Sequence, residues 1–106
     1  MRQTRFRRDN RSMDFSQTSP PPALSAPLQA LWWLKKGALQ IGPSWEKAHQ
    51  LCQQDEGERS HDLVHALCHW IEGDVANRDY WYRRIKNWNR AESIDGEWQN
   101  IWQALS

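Results

Sequence analysis

The sequence predicts an all-α domain, and three observations carry that expectation. Apolar residues recur at helical spacing, most plainly in Trp98, Ile101, Trp102 and Leu105, an i, i+3, i+4, i+7 set. No stretch alternates apolar and polar residues with the period of two that a half-buried strand needs. Residues that start or stop helices stand between the periodic stretches: Ser25, Gly42-Pro43-Ser44, Ser60 and Gly73-Asp74. About five helices in antiparallel hairpins follow.

Each element has its own reason. Ser25 is expected to cap the first helix, with Pro27 in its first turn, where a missing N–H costs nothing. Leu28, Leu31, Trp32 and Lys35 fall on one face, the lysine stem snorkelling at the end. This helix stops at Lys36-Gly37 or at Gly42-Pro43. Ser44 is expected to cap the second, in which Trp45, Ala48, Leu51 and Cys52 keep helical spacing until the polar run 53–59. Ser60 is expected to cap the third, which runs to about Glu72. Gly73 suits the left-handed position after a helix end, and Asp74 caps the fourth at once, so these two form a tight hairpin. The fourth is expected to turn Val75, Trp81, Tyr82, Ile85 and Trp88 to one side. The fifth begins near Asp95.

Residues 1–22 are expected to be a disordered basic, proline-rich tail, and 23–106 a single helical domain. The tail holds Arg2, Arg5, Arg7, Arg8, Arg11 and the run Pro20-Pro21-Pro22. The remaining chain is near the lower limit for a domain that folds unaided, and the eight tryptophans offset this by the large area each ring buries. Met13 is an alternative start that would remove the basic segment.

Net charge is +1, unevenly spread. Residues 1–12 carry five arginines against Asp9, hence +4, and the rest nine Lys and Arg against twelve Asp and Glu, hence −3. An acidic folded part argues against nucleic acid as the partner. No apolar run has membrane-spanning length, so no membrane partner is expected. Cys52 and Cys68 lack a CxxC spacing and read as free thiols, which points to the cytoplasm.

The segment His61–Arg84 holds the candidate chemistry. On a helical wheel Leu63, Val64, Leu67, Trp70 and Ile71 gather on one side, and His61, Asp62, His65, His69 and Glu72 on the other. The simplest interpretation is a solvated polar face with local His–Glu pairs. Two sharper ones stand beside it: in a two-hairpin array this face need not be free in water and can form a metal-free polar binding site or buried hydrogen-bond network, or His65 and His69, which at i, i+4 both reach one ion, bind a metal with His49 or Glu72 as a third ligand. His61 cannot share that ion, because it lies about 12 Å along the axis from His69. Asp74 is accounted for by its capping position, with Asn77 in the same first turn. Tyr80, Arg83 and Arg84 form a second candidate group for an anion or RNA. Residues 78–90 carry five cations against Asp79.

Two resemblances bear on these residues. Ala66 within the third helix, Gly73 at the turn and Tyr82 late in the fourth make the hairpin similar to one tetratricopeptide-type unit. This implies a short array that binds proteins or peptides, with no catalytic residue. More closely, Trp45, Ala48-His49, His65-Ala66, His69, Glu72-Gly73-Asp74, Asn77 and Tyr80–Arg84 resemble a family of small uncharacterised bacterial proteins with the pattern HAxxHRxEGDxxNAxYWYRRA. The chain departs from it at Trp70, Arg78 and Ile85, and by an insertion between Gly37 and Trp45. That resemblance marks residues and implies no activity.

The expectation from all this is a non-catalytic cytoplasmic binding or adaptor module, its site a polar patch of His49, His65, His69, Glu72 and Arg83 rimmed by tryptophans. No cofactor is assigned. A protein or peptide is the first choice of partner, with a small anion or a homodimer behind it. The alternatives are a metal protein or enzyme using His65 and His69 with His49 or Glu72, and an RNA- or anion-binding protein using Tyr80, Arg83 and Arg84.

Overall fold

The computed structural model describes residues 13–106. Among these residues five α-helices follow one another: α1 (Ala26–Lys36), α2 (Pro43–Cys52), α3 (Arg59–Glu72), α4 (Val75–Arg83) and α5 (Ile94–Leu105), with a 3-10 turn at Gln53–Asp55. No strand occurs among the described residues. No helix among them is long and apolar enough to cross a membrane. The expectation about residues 1–12 lies outside the described residues. Within 13–22, expected as part of the tail, Phe15 packs on the core, its ring 5.8 Å from Trp32, 6.1 Å from Trp98 and 6.5 Å from Trp102, while Asp14, Ser16, Gln17, Thr18, Ser19 and Pro22 are exposed.

The ends of the helices follow local rules, some of them different from those expected. Ser25 caps α1 through its side chain, and Gly37 closes it. A Cβ on Gly37 would stand 2.9 Å from the Ser44 Cβ, so only glycine lets the two helices approach here. The cap of α2 is Gly42 and not Ser44, because Pro43 already occupies the first helical position. The cap of α3 is Glu58 and not Ser60: its carboxylate accepts from the backbone N–H of Ser60 and of His61. Ser60 therefore sits inside the first turn. Gly73 takes the left-handed conformation (φ 85°), and Asp74 accepts from Asn77 N, so α3 and α4 fold back on each other across two residues. Ser93 caps α5.

The helices pair as α1 with α2 and α3 with α4, α2 lies on α3, and α5 packs across α1 and α3. Helix α3 thus touches every other helix. Eight consecutive residues of it, Asp62 to His69, are buried. An amphipathic surface helix keeps one face in water; α3 does not. The solvated polar face is overturned for His65 and His69, which are 3% and 6% exposed.

The core is made of Leu28, Leu31 and Leu34 from α1, Ala48 and Cys52 from α2, Leu63, Val64, Leu67 and Cys68 from α3, and Trp98, Ile101 and Trp102 from α5. The long rings are fixed by their polar ends. Trp98 Nε1 donates to the carbonyl of Leu31 at 2.8 Å, tying α5 to α1, and Trp45 Nε1 donates to the carbonyl of Cys68 at 2.8 Å, tying α2 to α3. Lys35 stands over the Trp98 ring at 4.8 Å, which accounts for a lysine at the end of an apolar face. Both cysteines are free thiols, and burial beside Cys68 pushes the Cys52 thiol well up.

Helix α4 differs from its sequence pattern. It ends at Arg83, so Ile85 and Trp88 lie beyond it, and Val75 is half exposed. What holds the chain after α4 is a carboxylate. Glu97, fully buried at the start of α5, accepts from Tyr82 Oη at 2.6 Å, Trp88 Nε1 at 2.8 Å and the backbone N–H of Ala91 at 2.9 Å. Burial and this carboxylate together raise the Tyr82 phenol, so the hydroxyl stays a donor.

Candidate metal centre

The site is built where α2, α3 and α4 meet. Cys68, in the middle of α3, presents its carbonyl to the indole of Trp45. Trp45 is four residues before His49 on α2, and at that spacing their rings stack, 4.9 Å apart and 9° from parallel. The backbone of α3 thereby sets the position of a histidine on α2. Across the interface His65 and His69 lie one turn apart on α3, their rings 4.8 Å apart and 28° from parallel. Trp81 of α4 covers the other side of His65 at 4.2 Å and 23°. This places Trp81 on the histidines and not on the apolar side where its helical pattern put it.

The three histidines converge. His49 Nε2 and His65 Nε2 are 3.1 Å apart, and one ring nitrogen from each of His49, His65 and His69 lies within 4.8 Å of the others. Two nitrogens bound to one ion at about 2.0–2.1 Å stand about 3.3–3.5 Å apart at tetrahedral or trigonal angles. The observed 3.1 Å is a hydrogen-bond distance between the two rings and is slightly shorter than that span. His69 Nδ1 meets Glu72 Oε1 at 2.5 Å. A carboxylate there keeps the proton on Nδ1 and leaves the Nε2 lone pair free.

Electrostatics favours the neutral form of His65 and His49. Burial, then the neighbouring His49 and His69, push the His65 pKa down to about 3. Burial, then His69, push His49 down as well. The neutral imidazole is the form that ligates metals. One polar atom of the group, His65 Nδ1, is buried with no hydrogen-bond partner.

The remaining sequence candidates fall elsewhere. His61 bonds to its own cap residue Glu58 at 2.5 Å and stands apart from the cluster. Arg83 is exposed on α4, where it acts on the Asp79 carboxylate. Its neighbour Arg84 packs on Trp81 and Tyr80, its guanidinium 5.3 Å from the Trp81 ring and 5.6 Å from Tyr80, with Nη1 donating to Tyr80 Oη at 3.3 Å. Glu72 reaches the group through His69. His69, Glu72 and Asp74 also lie close together, but both carboxylates are exposed and Asp74 is engaged as the α4 cap. Trp45 was legible from its i, i+4 relation to His49; nothing in the sequence pattern marked Trp81 or Arg84 as its neighbours in space. No family model, curated protein or solved structure matches the chain.

Proposed function

We propose that this chain is a metal-binding protein whose centre consists of His49, His65 and His69, with Glu72 orienting His69. One observation carries the reading: the 3.1 Å approach of His49 Nε2 to His65 Nε2 between two different helices, inside a trio of ring nitrogens. Neutral imidazoles from α2 and α3 suit a late first-row transition metal. The binding module expected from the sequence is retained in this form, with an ion as its ligand and without Arg83. The reading assigns no reaction.

The test is metal content. Tag-free protein, stripped and then offered zinc, copper, nickel and cobalt in turn, is expected to take up one equivalent of at least one of them and to melt at a higher temperature. The same treatment of His49→Ala is expected to lose both effects. Less than about a tenth of an equivalent of every metal, with no shift in melting, refutes the reading.

A further inference from the structure

Two arginines of the basic segment 78–90 share one indole. The Arg78 guanidinium stands 5.1 Å from the centre of the Trp70 ring, and the Arg90 guanidinium 4.8 Å from it. Trp70 belongs to α3 and Arg78 to α4, so this contact crosses the tight hairpin. Arg90 comes from the chain between α4 and α5 and also lies 5.9 Å from the Tyr82 ring. The buried Glu97 network fixes its surroundings. Glu97 accepts from Tyr82 Oη and from the backbone N–H of Ala91, and Arg90 Nη1 donates to the Ala91 carbonyl at 3.2 Å. Both guanidiniums are therefore held by rings and backbone, where a free surface arginine would sweep through water.

The chain places one oxyanion of its own among these cations. Arg78 Nε donates to Asp79 Oδ1 at 2.9 Å. That bond first, and then the charges of Arg78, Arg90 and Arg83, hold the Asp79 carboxyl below its ordinary value, so all three arginines act on the same anion. Asp79 leaves much of their capacity unused. It takes the Nε edge of Arg78, and among the described residues both Nη groups of Arg78 have no hydrogen-bond partner. The Arg78 side chain is 14% exposed, so packing and not solvent sets its position, while Asp79 stands 43% exposed. A stacked guanidinium keeps its in-plane N–H groups for an acceptor. A carboxylate has two oxygens and suits one fork; two forks suit a tetrahedral oxyanion, whose additional oxygens accept from both.

We propose that Arg78 and Arg90, carried on Trp70, bind the phosphate group of a small phosphorylated molecule, with Arg83 adding positive charge beside them. A small ligand is favoured over nucleic acid because residues 13–106 carry nine Lys and Arg against twelve Asp and Glu, a balance that repels a long polyanion beyond the local patch. None of these residues belongs to the histidine centre, so the two sites stand or fall separately.

The experiment titrates the full chain with inorganic phosphate and with phenyl phosphate at fixed ionic strength and neutral pH. The protein is first stripped of metal, so that no ion mediates binding. Arginine Nε–Hε resonances are followed by NMR. Saturable shifts of Arg78 and Arg90 are expected, with sulfate competing and acetate not. Arg78→Ala and Arg90→Ala are each expected to weaken binding at least about tenfold. Arg78→Lys keeps the charge and loses the fork, so it should recover only part of the affinity. Asp79→Asn withdraws the resident carboxylate and should strengthen binding severalfold. Arg84→Ala, whose guanidinium lies on Tyr80 and Trp81, should leave affinity within about twofold. A thermal melt of each variant separates lost binding from lost fold, and Arg90→Ala, at an exposed position, carries the test if Arg78→Ala does not fold. Absence of saturable shifts at tens of millimolar phosphate overturns the site. Equal losses in Arg84→Ala and Arg90→Ala overturn it as well, because they mark diffuse surface charge. Single-stranded RNA that binds at moderate salt and is not displaced by phosphate gives the patch to nucleic acid and overturns the small-molecule assignment.

Discussion

His49 and His65 are sixteen residues apart in sequence, on different helices, and their Nε2 atoms are 3.1 Å apart in space. Neither helix could arrange this alone. α3 sets His65 through its own packing, and it sets His49 indirectly through the Cys68 carbonyl, Trp45 and the Trp45–His49 stack. The pair is therefore a probe of how α2 sits on α3.

Glu72 orients without ligating, so its removal should weaken binding and leave the fold intact. For Glu72→Ala the expected loss in metal affinity is about 10–100-fold. The melting temperature of the ion-free protein should stay within a few degrees of the parent. Isothermal titration and a thermal melt check the two halves. An unchanged affinity would remove Glu72 from the site.

The histidines also set a pH dependence in the ion-free protein. The pKa of His65 is lowered to about 3, and that of His49 is lowered, so the unfolded chain takes up protons that the folded one refuses. Stability from this source is complete above the unfolded value of about 6.5 and is lost as pH falls below it. The urea midpoint should be flat from pH 8 to 7 and drop by pH 5. His65→Phe, which keeps a ring between His69 and Trp81, should reduce that drop. A midpoint that rises on acidification contradicts buried neutral histidines.

Glu97 is the buried charge on which the chain between α4 and α5 depends. Glu97→Gln puts an amide where three donors need an acceptor. The expected loss is about 2–4 kcal/mol, since hydrogen bonds to charge are the strong ones and stranded buried donors are costly. Urea unfolding measures it. Tyr82→Phe removes one donor and should cost less.

The insertion between Gly37 and Trp45 contains Ala38 and Leu39 in the left-handed region, at φ 62° and 58°. Ala38 is exposed, so nothing is lost by removing its methyl. Ala38→Gly relieves a strain of about 1–2 kcal/mol against the extra freedom glycine has when unfolded. A net gain of about 0.5 kcal/mol is expected in the same denaturation assay. A loss would mean that glycine's freedom outweighs the relief.

Much of the fold was legible because local chemistry decides it. Ser25, Gly73 and Asp74 act within one turn, and the α5 stripe is a property of its own sequence. The misses are of two kinds. Glu58 displaced Ser60 as a cap because a carboxylate two residues earlier reached both orphan N–H groups, a choice between neighbours that propensity does not rank. The burial of His65 and His69 was hidden for a larger reason. A wheel assigns a polar face to water unless another helix covers it, and here α2 and Trp81 do. The site's members could be named from spacing, but their convergence depends on the angle at which α2 crosses α3.

The bond from Trp98 to the Leu31 carbonyl spans 67 positions, almost the whole domain. It makes completion of this fold wait for α5 to be synthesised. Until α5 has left the ribosome, the apolar faces of α1 and α3 that it covers stay open to chaperones and to other nascent chains. At about 5–20 residues per second that interval lasts seconds. The three tryptophans around Phe15 are therefore a window of vulnerability during translation as well as a core afterwards.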